Sequence, residues 1–284
     1  EADCCDEVAM RRVFDAYDFD SVIHFAAYKA VGESVAEPTK YYRNNLQSFV
    51  NIVSLMHEYG RHNIVFSSSA TVYGDADVLP VTELTPRKSA TSPYGATKQM
   101  AEDILRDSVA AYNHLNGIAL RYFNPIGAHP SALIGELPRG VPNNLVPYIT
   151  QTAAGIRECL SIFGDDYDTP DGSCLRDYID IVDLARAHAV AINRMVEGRN
   201  KERYEVFNIG TGRPVSVFEL VQGFESANSL KLNYKIAPRR SGDVPAVWAD
   251  TTLANNELGW RAERELADTL RAAWQWERRV RGIE

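Results

Sequence analysis

The sequence predicts an α/β protein: a doubly wound, mainly parallel sheet followed by a smaller α/β domain. Three observations carry this. Short apolar runs of strand length alternate with stretches of helical period through residues 1–124. From Asn124 the pattern loosens, and Pro125, Gly127, Pro130, Gly135, Pro138, Gly140 and Pro142 mark an irregular stretch. Strand-like runs return at Tyr178–Ile181 and Val206–Ile209, so the second part, 125–284, interleaves with the first sheet around 176–210.

Each element has a local signal. Val8 to Tyr17 is amphipathic. Ser21–Ala27 is a short apolar run that fits a buried strand. From Pro38 to Tyr59, Tyr42, Leu46, Phe49, Val53 and Met56 recur at steps of four and three, which is one helix face, and Gly60 ends it. Asn63–Phe66 reads as a buried strand running into Ser67-Ser68-Ser69. Ser92-Pro93 opens a helix, Ser92 as cap and Pro93 in the first turn, where its missing N–H is no loss. Met100, Ile104, Leu105 and Val109 are its apolar positions. Ile118–Phe123 is a further strand, and the βαβα order places helices on both faces of the sheet. The run Arg278-Arg279-Val280-Arg281 complements the dipole of a C-terminal helix. A dinucleotide fold normally opens with a strand, a G-x-x-G-x-x-G turn and a helix. The sequence has no such turn; Gly210-Thr211-Gly212 follows a strand but lacks the third Gly.

Composition narrows the function. At 284 residues, 45% apolar, the chain can bury a sizeable core. A net charge of −8 argues against nucleic acid or an anionic membrane surface as partner. No apolar run approaches the roughly 18 residues of a membrane span, and no signal peptide is recognisable. Four cysteines without C-x-x-C spacing point to reduced thiols and a cytoplasmic protein. The six histidines show no metal-ligand spacing, so no metal is expected.

Tyr94 and Lys98 stand four residues apart on the Ser-Pro helix and face the same way. An ammonium beside a phenol favours the phenolate, so Lys98 is expected to lower the Tyr94 pKa and let it act as a general base toward a hydroxyl. Ser69, at the carboxyl end of a strand where open α/β sheets bind ligands, can bridge to the same oxygen. A Tyr-x3-Lys pair alone is a weak signal, more often a solvated helix face; the strand and serines beside it give it meaning.

Joint motifs carry a more specific reading. They are Val22-Ile23-His24-Phe25-Ala26-Ala27, Lys29-Ala30-Val31-Gly32-Glu33-Ser34, Phe66-Ser67-Ser68-Ser69-Ala70-Thr71-Val72-Tyr73-Gly74 and Ser92-Pro93-Tyr94-Gly95. Further on come Leu120-Arg121-Tyr122-Phe123-Asn124-Pro125, Pro142-Asn143-Asn144-Leu145, Arg176-Asp177-Tyr178-Ile179 and Arg239-Arg240-Ser241-Gly242-Asp243. From Asp3 to about Trp274 the chain resembles the UDP-glucose 4-epimerase (UDP-galactose 4-epimerase) family of the extended short-chain dehydrogenase/reductase superfamily. The resemblance implies an NAD-binding Rossmann-type doubly wound parallel sheet with a smaller UDP-sugar-binding α/β domain. The family's opening strands and Gly-rich turn have no counterpart here. The chain is therefore expected to behave as an N-terminally truncated member, binding NAD weakly and inactive by itself. Ala27-Tyr28 departs from the family's Gly-Leu, and Ala96 from a common Lys; neither removes a catalytic group.

The same resemblance implies roles. Tyr94 takes the proton of the sugar 4-hydroxyl while hydride leaves C4 for NAD. Lys98 contacts the nicotinamide ribose, and Ser69 holds the 4-oxygen. NAD contacts fall on Asp3, Cys4, Phe25, Ala26, Ala27, Lys29, Asn44, Tyr94, Lys98, Tyr122 and Phe123. Contacts to the UDP-sugar fall on Ser69, Asn124, Asn143, Asn144, Leu145, Phe163, Arg176, Arg240, Asp243 and Val247. Arg176 and Arg240 suit a diphosphate, since guanidinium gives bidentate charge-assisted bonds; taken alone, each reads as a surface ion-pair residue, Asn143-Asn144 as a turn, and Phe25 and Phe123 as core. The implied substrates are UDP-glucose and UDP-galactose. Val247, small where some members carry Tyr, extends the expectation to UDP-N-acetylglucosamine (UDP-GlcNAc) and its galacto epimer (UDP-GalNAc). A homodimer through the Pro38–Tyr59 and Ser92–Tyr112 helices is implied as well. A nucleotide-sugar 4,6-dehydratase is the rival enzyme, but that chemistry needs an acidic pair directly after the Ser, where Ala70 and Thr71 stand. A non-catalytic nucleotide-sugar-binding protein is the other alternative; such relatives usually lose the Tyr-Lys pair.

Overall fold

The computed structural model describes residues 1–138, 140–240 and 243–283. The first part runs α1 (Glu7–Ala16), β1 (Ser21–His24), α2 (Val31–Ala36), α3 (Pro38–Glu58), β2 (Asn63–Ser69), α4 (Pro93–Ala111) and β3 (Asn116–Tyr122). The second runs β4 (Asn124–Ile126), α5 (Leu145–Ala153), β5 (Leu160–Phe163), β6 (Leu175–Asp180), α6 (Ile181–Val196), β7 (Tyr204–Ile209), β8 (Pro214–Ser216), α7 (Val217–Asn228), β9 (Tyr234–Ala237), β10 (Ala246–Val247) and α8 (Leu266–Arg281).

Strands β1-β2-β3-β7 form a parallel four-stranded sheet in that order. Every residue of β2 is buried, and its side chains alternate between two cores. Ile64 and Phe66 join Met10, Phe14, Phe49, Ile52 and Leu105 under α1, α3 and α4. Val65 joins Ile118, Leu120, Leu184 and Ala187 under α6. Helices therefore cover both faces, as the alternating pattern predicts. The second part holds β10-β6-β4, with β8 antiparallel to β6, and the separate parallel pair β5-β9. Its core, centred on Ile149, Leu220, Phe224 and Leu270, lies among α5, α7 and α8. Arg278, Arg279 and Arg281 occupy the last turn of α8, the negative end of its dipole.

Three expectations are corrected. The strand predicted over Ser21–Ala27 ends at His24, and Ile23 is 40% exposed rather than buried. Among the described residues β1 pairs with β2 alone, and beyond His24 the chain turns away to place Tyr28 against Asn45. On α3 the inward face is Tyr41, Asn45, Ser48 and Ile52 together with Phe49, Val53 and Met56, while Tyr42 and Leu46 are half-buried. Asn45 and Ser48 point inward, so a pattern of apolar residues alone misplaces the stripe. Finally, Tyr178–Asp180 does not rejoin the first sheet; it pairs with β4, and Ile181 opens α6. Val206–Ile209 does rejoin it, within β7.

Candidate active site

Two elements position the chemistry. The Ser92 hydroxyl accepts the Gly95 N–H at 3.1 Å and caps α4, with Pro93 in the first turn. A Cβ on Gly95 would lie 3.3 Å from the Thr71 carbonyl, so Gly95 lets the start of α4 approach the turn after β2. Tyr94 and Lys98 then face β2, both buried. The Lys98 Nζ donates to the Ser67 carbonyl at 2.7 Å and lies 4.9 Å from the Phe66 ring and 5.7 Å from the Tyr94 ring. Ser69 ends β2, accepts the Thr71 N–H at 3.3 Å and lies close enough to the Tyr94 phenol to favour its ionised form. The three residues singled out in sequence are thus brought together.

Their electrostatics differ from expectation. Burial pushes the Tyr94 phenol up to about 12, with Ser69 pulling the other way. Burial pulls the Lys98 ammonium down to about 8, opposed by the negative charge of Glu102. In the cofactor-free chain Lys98 therefore loses its charge before Tyr94 ionises, and burial dominates the shift of the phenol. The reason is that both groups share one dry site, where desolvation outweighs their mutual attraction.

The carboxyl ends of the first sheet's strands carry the residues expected to face NAD. Phe25, Ala26 and Ala27 follow β1, and Phe25 is 56% exposed, so it is not core. Its ring lies 4.5 Å from that of His188, whose Nε2 is 2.8 Å from the Ser67 hydroxyl. Tyr122 ends β3, its phenol raised by burial, and Phe123 is buried beside Val72 and Tyr73. Asp3, Cys4 and Asn44 form a separate cluster. The Asp3 carboxylate accepts the Cys5 N–H at 2.8 Å, the Cys5 Sγ lies 3.4 Å from the Asn44 carbonyl, and Asn51 donates to the Cys4 carbonyl at 3.0 Å. Lys29 lies across the cleft, paired to Glu136 at 2.8 Å. The nicotinamide end fits: Lys98 is a three-donor ammonium, and Ser67 takes one hydrogen, leaving others for ribose hydroxyls. The loop Gly210-Thr211-Gly212 is no phosphate cradle. The fully buried Asp177 carboxylate fills it, accepting from the Thr211 N–H at 2.8 Å and the Gly212 N–H at 3.0 Å.

The residues expected to hold a UDP-sugar converge in part. Arg240 donates to both Asp243 oxygens, at 2.9 and 3.3 Å, and its guanidinium lies 4.9 Å from the Phe163 ring. The Arg176 guanidinium lies 4.0 Å from Asp243, and Val247 pairs with Arg176 in the β6–β10 register. Asp243 thus already occupies the fork that a diphosphate is expected to take. Asn144 precedes α5 without capping it and donates to Glu136 at 3.1 Å; Leu145 begins that helix, and Asn143 is exposed. Asn124 pairs with Tyr178 across β4–β6. Ser241 and Gly242 of the Arg239–Asp243 motif lie outside the described residues.

Two contributors escape sequence reasoning. Asn45, not its neighbour Asn44, braces the Tyr28 loop. Its amide accepts from the Tyr28 N–H at 2.8 Å and donates to the Tyr28 carbonyl and to Thr97. Glu102 is fully buried one turn after Lys98. The signal for each was a polar residue at a position where its helix turns inward.

The chain has well-matched relatives among known proteins. Residues 1–273 match the family described as GDP-mannose 4,6 dehydratase. The UDP-glucose 4-epimerase of Haemophilus influenzae is 47% identical over 278 residues, covering 98% of this chain and 81% of that one. The human UDP-glucose 4-epimerase is 46% identical, covering 98% and 79%. The crystal structure of UDP-glucose 4-epimerase from Bifidobacterium longum in complex with NAD+ and UDP is similar with a TM-score of 0.94 at 45% identity, covering 100% of this chain and 84% of that one. With these relatives, and with Tyr94, Lys98 and Ser69 buried together at the end of a parallel strand, the chain belongs to the UDP-glucose 4-epimerase family.

Proposed function

We propose that this chain serves an NAD-dependent isomerase that interconverts UDP-glucose and UDP-galactose by inverting C4 through a 4-keto sugar. The observation that carries this is the burial of Tyr94 and Lys98 at the start of α4 against Ser67 and Ser69 at the carboxyl end of β2. NAD, when bound, supplies a reversible hydride acceptor for C4 and, in its oxidised form, a positive charge that favours the Tyr94 phenolate. Ser69 holds the sugar 4-oxygen. Tyr94 removes its proton as the carbonyl forms and returns a proton to the same oxygen after the ketose has turned its other face inward. Lys98 and Tyr122 hold the nicotinamide ribose side, and Arg176, Arg240 and Asp243 hold the diphosphate and ribose of UDP. Ala70 and Thr71 directly follow Ser69 and offer no carboxyl group to expel and return water, which disfavours a dehydratase despite the description of the matched family.

Tyr94→Phe in the natural protein carrying this chain tests the reading. Turnover of UDP-galactose should fall at least ~100-fold with UDP-sugar binding retained, because only the base is removed. Near wild-type kcat in that variant would remove Tyr94 from the mechanism.

Finer points belong to the same proposal. Residues 1–124 form the cofactor domain and 125–284 the sugar-nucleotide domain, β7 returning to the first. The protein also acts on UDP-GlcNAc and UDP-GalNAc, because Val247 is small and packs against the cluster that holds Val72, Tyr73, Val81, Phe123 and Ala249. It is a homodimer through the outer faces of α3 and α4. Unbridged cysteines suit a cytoplasmic, reducing setting. Among the described residues no helix is long and apolar enough to cross a membrane.

A further inference from the structure

Three consecutive serines of β2 are each tied to α4, one helical turn apart. Ser69 meets Tyr94, the Ser67 carbonyl meets Lys98, and the Ser68 hydroxyl donates to Glu102 at 2.6 Å. Only the first two ties belong to the reaction described above. Glu102 is 1% exposed, and its carboxylate is held by Arg121 through two bonds, Nε to Oε1 at 2.9 Å and Nη2 to Oε2 at 2.6 Å. Arg87 approaches Oε2 at 3.4 Å. Arg121 in turn donates to the Tyr73 phenol at 3.1 Å, and Tyr73 donates to the Asn208 side chain at 2.6 Å. A buried pair of this kind is weak evidence for stability, because well-packed apolar residues often do as well. Its placement directly behind the catalytic lysine asks for another explanation.

We propose that Glu102, with Arg121 as its counter-ion, is a positioning residue of the reaction: its buried carboxylate keeps Lys98 charged and fixes the end of β2 against α4, setting the Ser69–Tyr94 separation. The idea rests on the epimerase reading above. The titratable groups that act on Lys98 are His24 on β1 and Glu102 on α4, with the Tyr94 ring 5.7 Å away, while Arg121 on β3 and Arg87 from the loop before α4 reach Glu102 from its other sides. Among these, Glu102 is the carboxylate that offsets the burial of the ammonium, while His24 is itself held low, at about 4, by burial and by the charge of Lys98. An opposite charge at close range favours the charged form of a base. Lys98 assists only while protonated, so its loss of charge sets the alkaline limit of activity.

The test is a lysine side-chain NMR titration of the natural protein at fixed cofactor loading, with the Lys98 signal assigned by its loss in Lys98→Met. In wild type Lys98 should titrate well below an ordinary lysine. In Glu102→Gln, which keeps shape and removes charge, it should titrate lower by about one pH unit, and the alkaline limb of kcat should move with it. A Lys98 signal unmoved in Glu102→Gln, or an ordinary lysine titration in wild type, overturns the proposal. If Glu102→Gln fails to fold because Arg121 is left unpaired, the double variant Glu102→Met with Arg121→Met replaces it, and an unmoved Lys98 signal there overturns the proposal equally. A merely structural pair would lower activity equally at every pH and leave the limb in place. The NMR titration needs no turnover, so it decides the role of Glu102 even if the epimerase reading fails. That failure shows separately as wild-type protein unable to convert UDP-galactose.

Discussion

At the scale of single residues, Lys98 illustrates the conflict between stability and function. Its pKa falls from 10.5 to about 8 on burial. The stability compatible with this burial is full above pH 10.5 and is lost as the pH falls toward 8, where the folded chain must carry the ammonium. Below pH 8 the penalty is of order 3 kcal/mol in the cofactor-free protein. Lys98→Met should therefore raise stability at pH 7, by about 1–3 kcal/mol after the bond to Ser67 is lost, while kcat drops by ~100-fold or more. Urea titration beside an activity assay checks both; a destabilised variant would mean that the ammonium is well solvated. Val247 is the residue that addresses substrate size. Val247→Tyr should suppress exchange of UDP-GlcNAc and spare UDP-galactose, because added bulk matters only where a substituent must fit. Equal loss of both activities, or a wild-type protein inert toward the acetamido sugars by NMR, would rule out Val247 as the size gate. Tyr94, Lys98 and Ser69 were legible in sequence because spacing and strand context carry them. Their pKa values were not, because desolvation depends on what surrounds a group in three dimensions.

At the scale of elements, the parallel pairing of the first sheet and the α4 cap follow from the sequence, whereas the face of α3 does not. Its inward stripe includes Asn45 and Ser48, polar residues matched to partners far along the chain, and no period of apolar residues shows them. The same correction leaves an outer apolar face. Val50 on α3 and Met100 on α4 are exposed, with Leu46 and Ile104 half-buried near them. A two-fold contact through these helices would bury the same patch on both subunits. Met100→Glu with Val50→Glu should convert a dimer into a monomer in sedimentation at micromolar concentration with the fold intact. A wild-type protein that sediments only as monomer would contradict the dimer.

At the scale of the molecule, alternating strands and helices gave the first sheet, and the return of β7 was visible as an apolar run. The partner of β6 was not visible, since a strand's own residues do not name its neighbour; only the fold reveals that it joins β4, β8 and β10. The convergence of Phe163, Arg176, Arg240 and Asp243 could be read only through family motifs, because they lie far apart in sequence. On the proposed reading the two parts bring Tyr94, as a buried base, to face a sugar nucleotide, and the central claim is that C4 is inverted by removing and returning the same hydrogen. The direct measurement is the fate of deuterium at C4 of UDP-galactose during conversion to UDP-glucose by the natural protein, followed by NMR in ordinary water. Full retention of deuterium at C4 of the product is expected. Product formed with its C4 deuterium washed out to solvent would contradict the account.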